Sequence, residues 1–414
     1  MLSKIKIWFK GIIEKLLSWG KDSPAEEEVP VRSPTELKAL VDRLKEALQK
    51  NPEDTKILYE LGEVYMEMHR YGEAIPPLRA VVNQEPEHKS ARLQLGRAQM
   101  EMGRDDDAVE HLKEAMRLDP ESEIVKKALC QAHSNLSTSY GRMKNQIESE
   151  NHFKEAIKII PSFGPAHLSM GICYSELGRY NDALDKIQDA LNFDKNLTVQ
   201  AHYNFGEVYS KLKNTKKAIK HYKEAISVDP TASMPNLRLG MLYYKLKKFD
   251  DSIGPLRRAI KHSPKHGAEA YFKLGAALMK LKRYVPAEKP LRKAVELSPD
   301  NETANDTLAE NLFQISMDVR YSGQPGEEID VLREVVYFNP EHIKAHERIS
   351  DAYNERLSGI KAITHCIIAQ RFLSEQKLLK ELSQSRSNLE ALYKKYKTGP
   401  NEFKKVITPR KRYF

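Results

Sequence analysis

A glycine and a proline recur together along this chain at a nearly constant spacing, and this recurrence limits the fold more than any other feature. Within residues 55–88, Leu58, Gly62 and Tyr65 fall on one face of a predicted helix, because an α-helix returns to the same face every three to four residues. After a turn, a second helix repeats this spacing and stops at Pro86, since proline cannot continue a helix. Such a hairpin cannot bury its apolar face alone, so it needs a stacked neighbour.

The recurrence continues through most of the chain. The glycine recurs as Gly62, Gly96, Gly171, Gly206, Gly240 and Gly275, and the proline as Pro86, Pro120, Pro161, Pro230, Pro264, Pro299 and Pro340. A small residue on the second helix recurs as Ala74, Ala108, Ala183, Ala218, Ser252 and Ala287. We therefore expect stacked hairpins in which a position of one unit lies beside the same position of the next.

These residues and their 34-residue period resemble the tetratricopeptide repeat (TPR) family, over about residues 35–376. The resemblance implies an all-α, right-handed superhelical solenoid of helix-turn-helix repeats, here with a leading half-repeat and about nine units. In this family the first helix of each repeat lines a concave groove. The resemblance therefore also implies a non-catalytic protein that binds proteins or peptides in that groove.

Two units depart from the period. The steps from one proline to the next at 120–161 and 299–340 are 41 residues long. The seven additional residues equal about two turns of helix, so these units have either longer helices or a longer turn. Ser137 and Ser316 replace the glycine in them. The units either bend the solenoid or project a ridge, or they hold a tolerated insertion.

Residues 1–19 have a different pattern, with an apolar face that carries both tryptophans and a polar face rich in lysine. This pattern is typical of a helix that lies in the plane of an anionic membrane surface. Charged residues interrupt any signal-peptide core, and docking on the solenoid or on a partner is the alternative. The predicted membrane contacts are Ile5, Trp8, Phe9, Ile12, Leu16 and Trp19, with Lys4, Lys6, Lys10 and Lys15.

The segments around the solenoid are predicted from composition. Residues 20–34 carry three prolines and an acidic run, which indicates a flexible linker. Residues 377–397 are predicted to form a helix that caps the solenoid. Residues 398–414 form a basic tail that is either a solvated terminus or a second contact with membrane or nucleic acid.

Motifs for catalysis and metal binding are lacking in the sequence. There is no glycine-rich phosphate loop, HExxH motif or nucleophile elbow, so we predict no enzyme, no catalytic residue and no cofactor. The histidine pairs 262/266 and 342/346 are four apart but straddle unit boundaries, and we predict no metal site. His167, His202 and His346 occupy a packing position of the first helix. Three widely separated cysteines indicate a reducing, cytoplasmic compartment.

Positive charge is concentrated in one part of the solenoid. Residues 199–301 contain 21 lysines and arginines and nine aspartates and glutamates, a net charge of +12 against +9 for the whole chain. One position near the end of the first helix carries Lys211, Lys245 and Lys280, where earlier units carry Glu67, Glu101 and Glu176. Lys213, Lys247 and Lys282 share the position two residues further on. These columns form either a site for an acidic peptide or a solvated basic face.

The predicted partner-binding groove lies on the first helices of the basic units. Its residues are Tyr203, Asn204, Lys211, Arg238, Tyr244, Lys245, Phe272, Lys273 and Lys280. Some members of the family bind a C-terminal carboxylate with conserved lysine, asparagine and arginine side chains. Asn204 and Arg238 match that clamp only in part, and Leu168, Ile172 and Met234 stand where it needs polar residues. We therefore do not expect a carboxylate clamp.

From these features we expect a scaffold or adaptor that binds partner proteins or acidic peptides and is tethered peripherally to the cytosolic face of a membrane. Self-assembly into a homo-oligomer is one alternative. Nucleic-acid binding by the basic residues 199–301 is another, but aromatic side chains are sparse there for base stacking.

Overall fold

The computed structural model describes residues 32–264, 267–321 and 325–403, which contain twenty α-helices. The chain divides into two compact units, one of residues up to 136 with 158–160 and the other of residues 137–157 with those from 161 onward. The predicted all-α class, built from consecutive helical hairpins, is confirmed over the described residues. The predicted amphipathic helix at residues 1–19, nearly all of the linker and most of the basic tail lie outside them.

The described part of the first unit begins with a single helix that starts at a capping box. The Ser33 hydroxyl accepts a hydrogen bond from the Glu36 amide, and the Glu36 carboxylate accepts one from the Ser33 amide. These two bonds satisfy amides that helix formation leaves without partners. Two hairpins follow. The helices are α1 Pro34–Lys50, α2 Thr55–Glu67, α3 Tyr71–Gln84, α4 Lys89–Glu101 and α5 Asp105–Leu118, and α6 Glu123–Arg142 crosses the unit boundary.

The second unit continues with six hairpins from α8 onward and ends in one long helix. Its helices are α7 Gln146–Ile159, α8 Gly164–Glu176, α9 Tyr180–Phe193, α10 Thr198–Lys211, α11 Thr215–Val228, α12 Ser233–Lys245, α13 Phe249–His262, α14 Gly267–Lys280, α15 Tyr284–Leu297, α16 Glu302–Tyr321, α17 Pro325–Phe338, α18 Ile343–Glu355, α19 Gly359–Glu375 and α20 Leu379–Tyr396. The last helix packs on α19, where the Tyr396 ring lies against Gly359 and its hydroxyl donates to the Asn354 carbonyl.

The recurring glycine lets the two helices of a hairpin approach closely. A Cβ atom on Gly62 would lie 2.6 Å from the Leu78 side chain, and one on Gly240 would lie 2.7 Å from Leu256. These distances are shorter than real side chains tolerate, so the large residue of the second helix occupies the space that glycine leaves. The recurrence in the sequence is therefore a packing rule within each hairpin.

The seven additional residues of the two long units lie in their first helices. Helices α6 and α16 each contain 20 residues, whereas their partners α7 and α17 contain 14. Ser137, which replaces the glycine in α6, is fully buried and donates from its hydroxyl to the Ser149 carbonyl at 2.9 Å. The extension thus adds two helical turns, and the described turn between α6 and α7 stays short.

Each described turn within a hairpin contains a residue with a left-handed backbone. This residue is glycine at Gly103 and Gly178, but a lysine with φ of 57–59° at Lys213, Lys247 and Lys282. A side chain in this conformation costs roughly 1–2 kcal/mol relative to the right-handed region. The second lysine column therefore lies in the turns, beyond the ends of the first helices.

One buried ion pair joins α17 to α18. Glu328 occupies the second-helix position that carries a small residue in most other units, and it is fully buried. Its carboxylate accepts from the Arg348 guanidinium at 2.5 and 3.0 Å, a bidentate arrangement. The hydrogen bond with Glu328 is the main cause that raises the pKa of Arg348. This contact needs both hairpins to be present.

Candidate functional site on the first helices

The basic units present their first helices side by side. Helix α12 contacts α14 directly, and α8 contacts α10, so side chains from equivalent positions of successive repeats lie on one surface. Polar contacts also join these helices, as in the Glu207–Arg238 pair between α10 and α12. We call the surface formed by α10, α12 and α14 the first-helix surface.

A cavity of about 490 Å³ opens on this surface. Four of the nine predicted groove residues line it, namely Arg238, Tyr244, Lys245 and Lys273. An adjoining cavity of about 430 Å³ is lined by Phe272 and again by Lys273. The structure therefore brings together the predicted residues of α12 with Phe272 and Lys273 of α14.

Arg238 is held in place by acidic and phenolic groups. Its Nε lies 3.3 Å from Oε1 of Glu207, and the Tyr222 hydroxyl donates to the same oxygen at 2.6 Å. Burial raises the pKa of Tyr203, so this phenol beside Arg238 stays protonated at neutral pH. The Glu207 carboxylate therefore partly offsets the charge of the guanidinium before any ligand arrives.

Lys273 lies between two aromatic rings. Its ammonium is 5.2 Å from the centre of the Tyr244 ring and 5.3 Å from that of Phe272, within the range of cation–π attraction. Burial raises the pKa of Tyr244, so that ring remains neutral. The two rings position a cation over an apolar wall formed by Met241 and Leu242.

The first lysine column is not uniform. Lys211 donates to the Ser175 carbonyl and hydroxyl at 3.3 and 3.2 Å and lies 3.0 Å from the Glu176 carboxylate. Lys245 is exposed at the rim of the larger cavity, and Lys280 is exposed at the end of α14. Glu176 of the glutamate column thus pairs with Lys211 of the lysine column. This contact holds the Lys211 ammonium outside the cavity.

One predicted groove residue lies outside both cavities, and two carboxylates that were not predicted lie in the larger one. The Asn204 amide donates to the Gln200 carbonyl of its own helix at 2.8 Å, and Asn204 does not line either cavity. Glu207 and Glu269 do line the larger cavity, although the basic columns of the sequence gave no indication of them. Glu207 follows Gly206 directly, and Glu269 lies six residues before Gly275. These positions on the first helices are the sequence signal that could have placed both carboxylates on the groove.

Three sequence models of the tetratricopeptide repeat match this chain, over residues 66–132, 166–231 and 237–302. The matched ranges contain the complete helices α3 to α5, α9 to α11 and α13 to α15. The chain is a tetratricopeptide-repeat protein. TPR repeats are generally scaffolds for protein interaction, and the family is generally non-catalytic.

Individual relatives of this TPR protein are distant. Hsp70-Hsp90 organizing protein 3 of Arabidopsis thaliana is 23% identical over 125 residues, which make up 30% of this chain and 21% of the relative. The chain therefore matches about a fifth of that protein's length.

Solved structures that resemble the TPR protein include two from bacteria. They are that of pilF from Pseudomonas aeruginosa (TM-score 0.45, 17% identity, 54% of this chain and 98% of that one) and that of the C-terminal part of a TPR protein from Cytophaga hutchinsonii (TM-score 0.44, 18% identity, 61% and 98%). Across the described residues of the TPR protein, every helix is too short or too polar to span a bilayer.

Proposed function

We propose that this TPR protein is a non-catalytic adaptor that binds an extended acidic peptide on the first-helix surface. The observation that carries the proposal is the cavity between α10, α12 and α14, where Arg238, Lys245 and Lys273 meet an apolar wall. Cationic groups beside aromatic side chains suit a ligand that carries both carboxylates and apolar anchors.

The two carboxylates in the cavity refine the expected ligand. Glu207 holds Arg238, and Glu269 lies beside Lys273 in the lining. A ligand made only of acidic residues would meet repulsion from both carboxylates. We therefore expect acidic residues that are separated by an apolar or aromatic residue, which enters beside Tyr244.

A peptide-display experiment on the full-length protein tests this site. A random display library is selected against the protein, and the dissociation constant of a selected peptide is measured by fluorescence polarisation. The charge reversals Lys245→Glu and Lys273→Glu together should weaken binding at least about tenfold, because each replaces an attraction by a repulsion. The matched control reverses Lys216 and Lys289, which are exposed on second helices, and should change affinity by less than about twofold.

Three results would contradict the proposal. An equal loss of peptide affinity in both double variants would mean that net charge alone causes the effect. The basic units would then be a solvated face and not a binding site. If the selected peptides are neutral and bind both variants equally, the cationic groups do not contribute to peptide recognition. A single-stranded oligonucleotide that competes with the peptide at equal affinity would favour the nucleic-acid alternative.

We also propose that residues 1–19 tether the adaptor to an anionic membrane surface. Support comes from their sequence, with tryptophan and phenylalanine on one helical face and lysines on the other. The full-length protein should co-sediment with phosphatidylserine-containing vesicles, and removal of residues 1–20 should abolish this. Equal co-sedimentation of the truncated protein would refute the tether. Light scattering of both forms separates membrane binding from self-assembly through the same segment.

A further inference from the structure

Three metal-ligating side chains converge between the two helices of one hairpin. His202 lies on α10, and His221 and Glu224 lie one turn apart on α11. The Nδ1 atoms of the two histidines are 3.1 Å apart. Oε2 of Glu224 is 3.1 Å from Nδ1 of His202 and 2.9 Å from Nδ1 of His221. The three atoms form a nearly equilateral triangle.

The triangle has the dimensions of one face of a zinc coordination sphere. Zinc binds imidazole nitrogen at about 2.0–2.1 Å and carboxylate oxygen at about 2.0–2.2 Å, and neighbouring ligands of such a tetrahedron are about 3.3 Å apart. The observed separations of 2.9–3.1 Å are within a few tenths of an ångström of that value. A divalent ion could therefore contact all three atoms after a small outward shift of the side chains.

The surroundings of these atoms leave them available to an ion. Oε2 of Glu224 is buried and, among the described residues, accepts no hydrogen bond, although an unpaired buried carboxylate oxygen is normally avoided. Lys220 lies 3.7 Å from the other oxygen, Oε1, which directs Oε2 towards the histidines. The His221 ring stacks on Tyr209 with an angle of 7° between the planes. The three side chains are 18–34% exposed, so the cluster lies close to the protein surface.

A second hairpin of the same chain supplies an internal comparison. Nδ1 of His346 on α18 lies 2.9 Å from Nδ1 of His365 on α19, and the two residues are nineteen apart, as His202 and His221 are. Ile368 occupies the position that corresponds to Glu224. A paired histidine motif is thus present twice, but only one copy includes a carboxylate.

We propose that His202, His221 and Glu224 bind a divalent transition-metal ion of the Zn²⁺ type. The ion would join α10 to α11 through two imidazoles and one carboxylate, and at least one coordination position would be left for water or for a side chain of a partner. The histidine spacing of nineteen residues gives no signal on a single helix. It has meaning only once the hairpin places the two positions opposite each other.

The test uses the full-length chain without a polyhistidine tag, stripped with EDTA and titrated with Zn²⁺ alone against a chromophoric chelator. One Zn²⁺ per chain is expected, and Co²⁺ should give the visible absorption of a tetrahedral site. Glu224→Gln keeps the shape of the side chain and should weaken Zn²⁺ binding at least about tenfold, since loss of residues outside the coordination sphere already costs 10–100-fold at such sites. His346→Gln, the matched control in the pair without a carboxylate, should leave affinity unchanged.

Each outcome decides the proposal. It is overturned if the wild-type chain binds no Zn²⁺ below about 10 μM, or if Glu224→Gln binds as tightly as the wild type, or if His346→Gln is the variant that loses binding. A thermal melt in EDTA checks that Glu224→Gln folds as the wild type does. Added Zn²⁺ should then raise the melting temperature of the wild type and not of the variant. His202→Gln, on the opposite helix, should behave as Glu224→Gln does.

Discussion

The hairpins α10/α11 and α18/α19 place similar side chains on the same backbone positions but differ in chemistry. Both carry a histidine pair across the two helices, and in both a tyrosine of the first helix stacks on the second histidine. These tyrosines are Tyr209 and Tyr353. The pairs have nearly the same geometry, so the hairpin itself creates the juxtaposition.

The two hairpins differ in the residues that occupy three equivalent positions. Where α10/α11 has Glu224, Gly206 and Lys211, α18/α19 has Ile368, Ser350 and Glu355. The first hairpin thereby has a carboxylate at its histidines, and a glycine beneath a large ring. The comparison shows that a repeat preserves the positions of side chains while single substitutions decide what those positions do. Four predictions test it, from the largest expected effect to the smallest.

The largest effect concerns acid stability in α18/α19. Burial lowers the pKa of His365 to about 4 from its ordinary value of 6.5, and His346 and Arg333 act in the same direction. The unfolded chain therefore binds a proton near pH 6.5 that the folded chain takes up only near pH 4. The free energy of unfolding should fall across this interval by about 3 kcal/mol from His365 alone.

Urea unfolding at several pH values measures this fall. His365→Gln should remove about 3 kcal/mol of the decrease between pH 6.5 and 4, while His346, whose pKa burial also lowers, keeps its own contribution. At pH 7 to 8, where the imidazole is neutral in both states, the curves of the variant and the wild type should run parallel. An unchanged acid dependence in His365→Gln would show that the acid sensitivity arises elsewhere.

The second prediction concerns the close contact in α10/α11. A Cβ on Gly206 would collide with the Tyr222 ring. In α18/α19 the position equivalent to Tyr222 holds the smaller Cys366, and Ser350 at the position of Gly206 donates to the Ala362 carbonyl at 2.8 Å. Gly206→Ser should reduce the free energy of unfolding by about 1–3 kcal/mol, because it overpacks the contact.

Two controls sharpen the measurement at Gly206. The same substitution at Gly254, whose nearest neighbour would be an Arg258 nitrogen at 3.7 Å, should be close to neutral. In a Tyr222→Cys background, Gly206→Ser should be much less destabilising. An equal effect in both backgrounds would mean that the ring is not what excludes a Cβ atom.

The third prediction transfers the carboxylate. Ile368→Glu supplies the missing ligand to the His346–His365 pair, so the chain should bind a second Zn²⁺. Affinity at that pair should rise at least about tenfold, or about 1.4 kcal/mol, by the same chelator competition. A stoichiometry that stays at one would show that more than these three side chains is needed.

The smallest effect concerns the lysine column. Lys211 lies 3.0 Å from Glu176, but the two side chains are 33% and 40% exposed. Lys211→Ala should lower the free energy of unfolding by about 0–1 kcal/mol, the range for exposed ion pairs, and high salt should reduce the difference further. A loss well above this in a urea titration would mean that the hydrogen bonds to Ser175 dominate.

Sequence was sufficient for the fold and for part of the candidate site. The glycine and proline period predicts the hairpins because each residue has a packing or chain-stopping role that few others can fill. It could not place the seven additional residues, since a longer helix and a longer turn give the same step between prolines. Arg238 and Lys273 were predicted on the groove and do line the cavity.

What sequence could not supply are contacts that depend on two elements at once. Glu176 and Lys211 belong to different repeats, and only the register of neighbouring first helices brings them together. His202 and His221 meet only across a hairpin. Helical periodicity relates residues on one helix, so it carries no information about either pair.

The buried Glu328–Arg348 pair restricts how this protein can be shortened, lengthened or recombined. Repeat arrays usually tolerate removal or insertion of a whole module, because each module meets its neighbour through interchangeable apolar surfaces. Deletion of residues 343–375 would strip Glu328 of its guanidinium, and a consensus module inserted ahead of α18 would separate the two charges. At this one junction, the succession of modules is encoded by a matched acid and base.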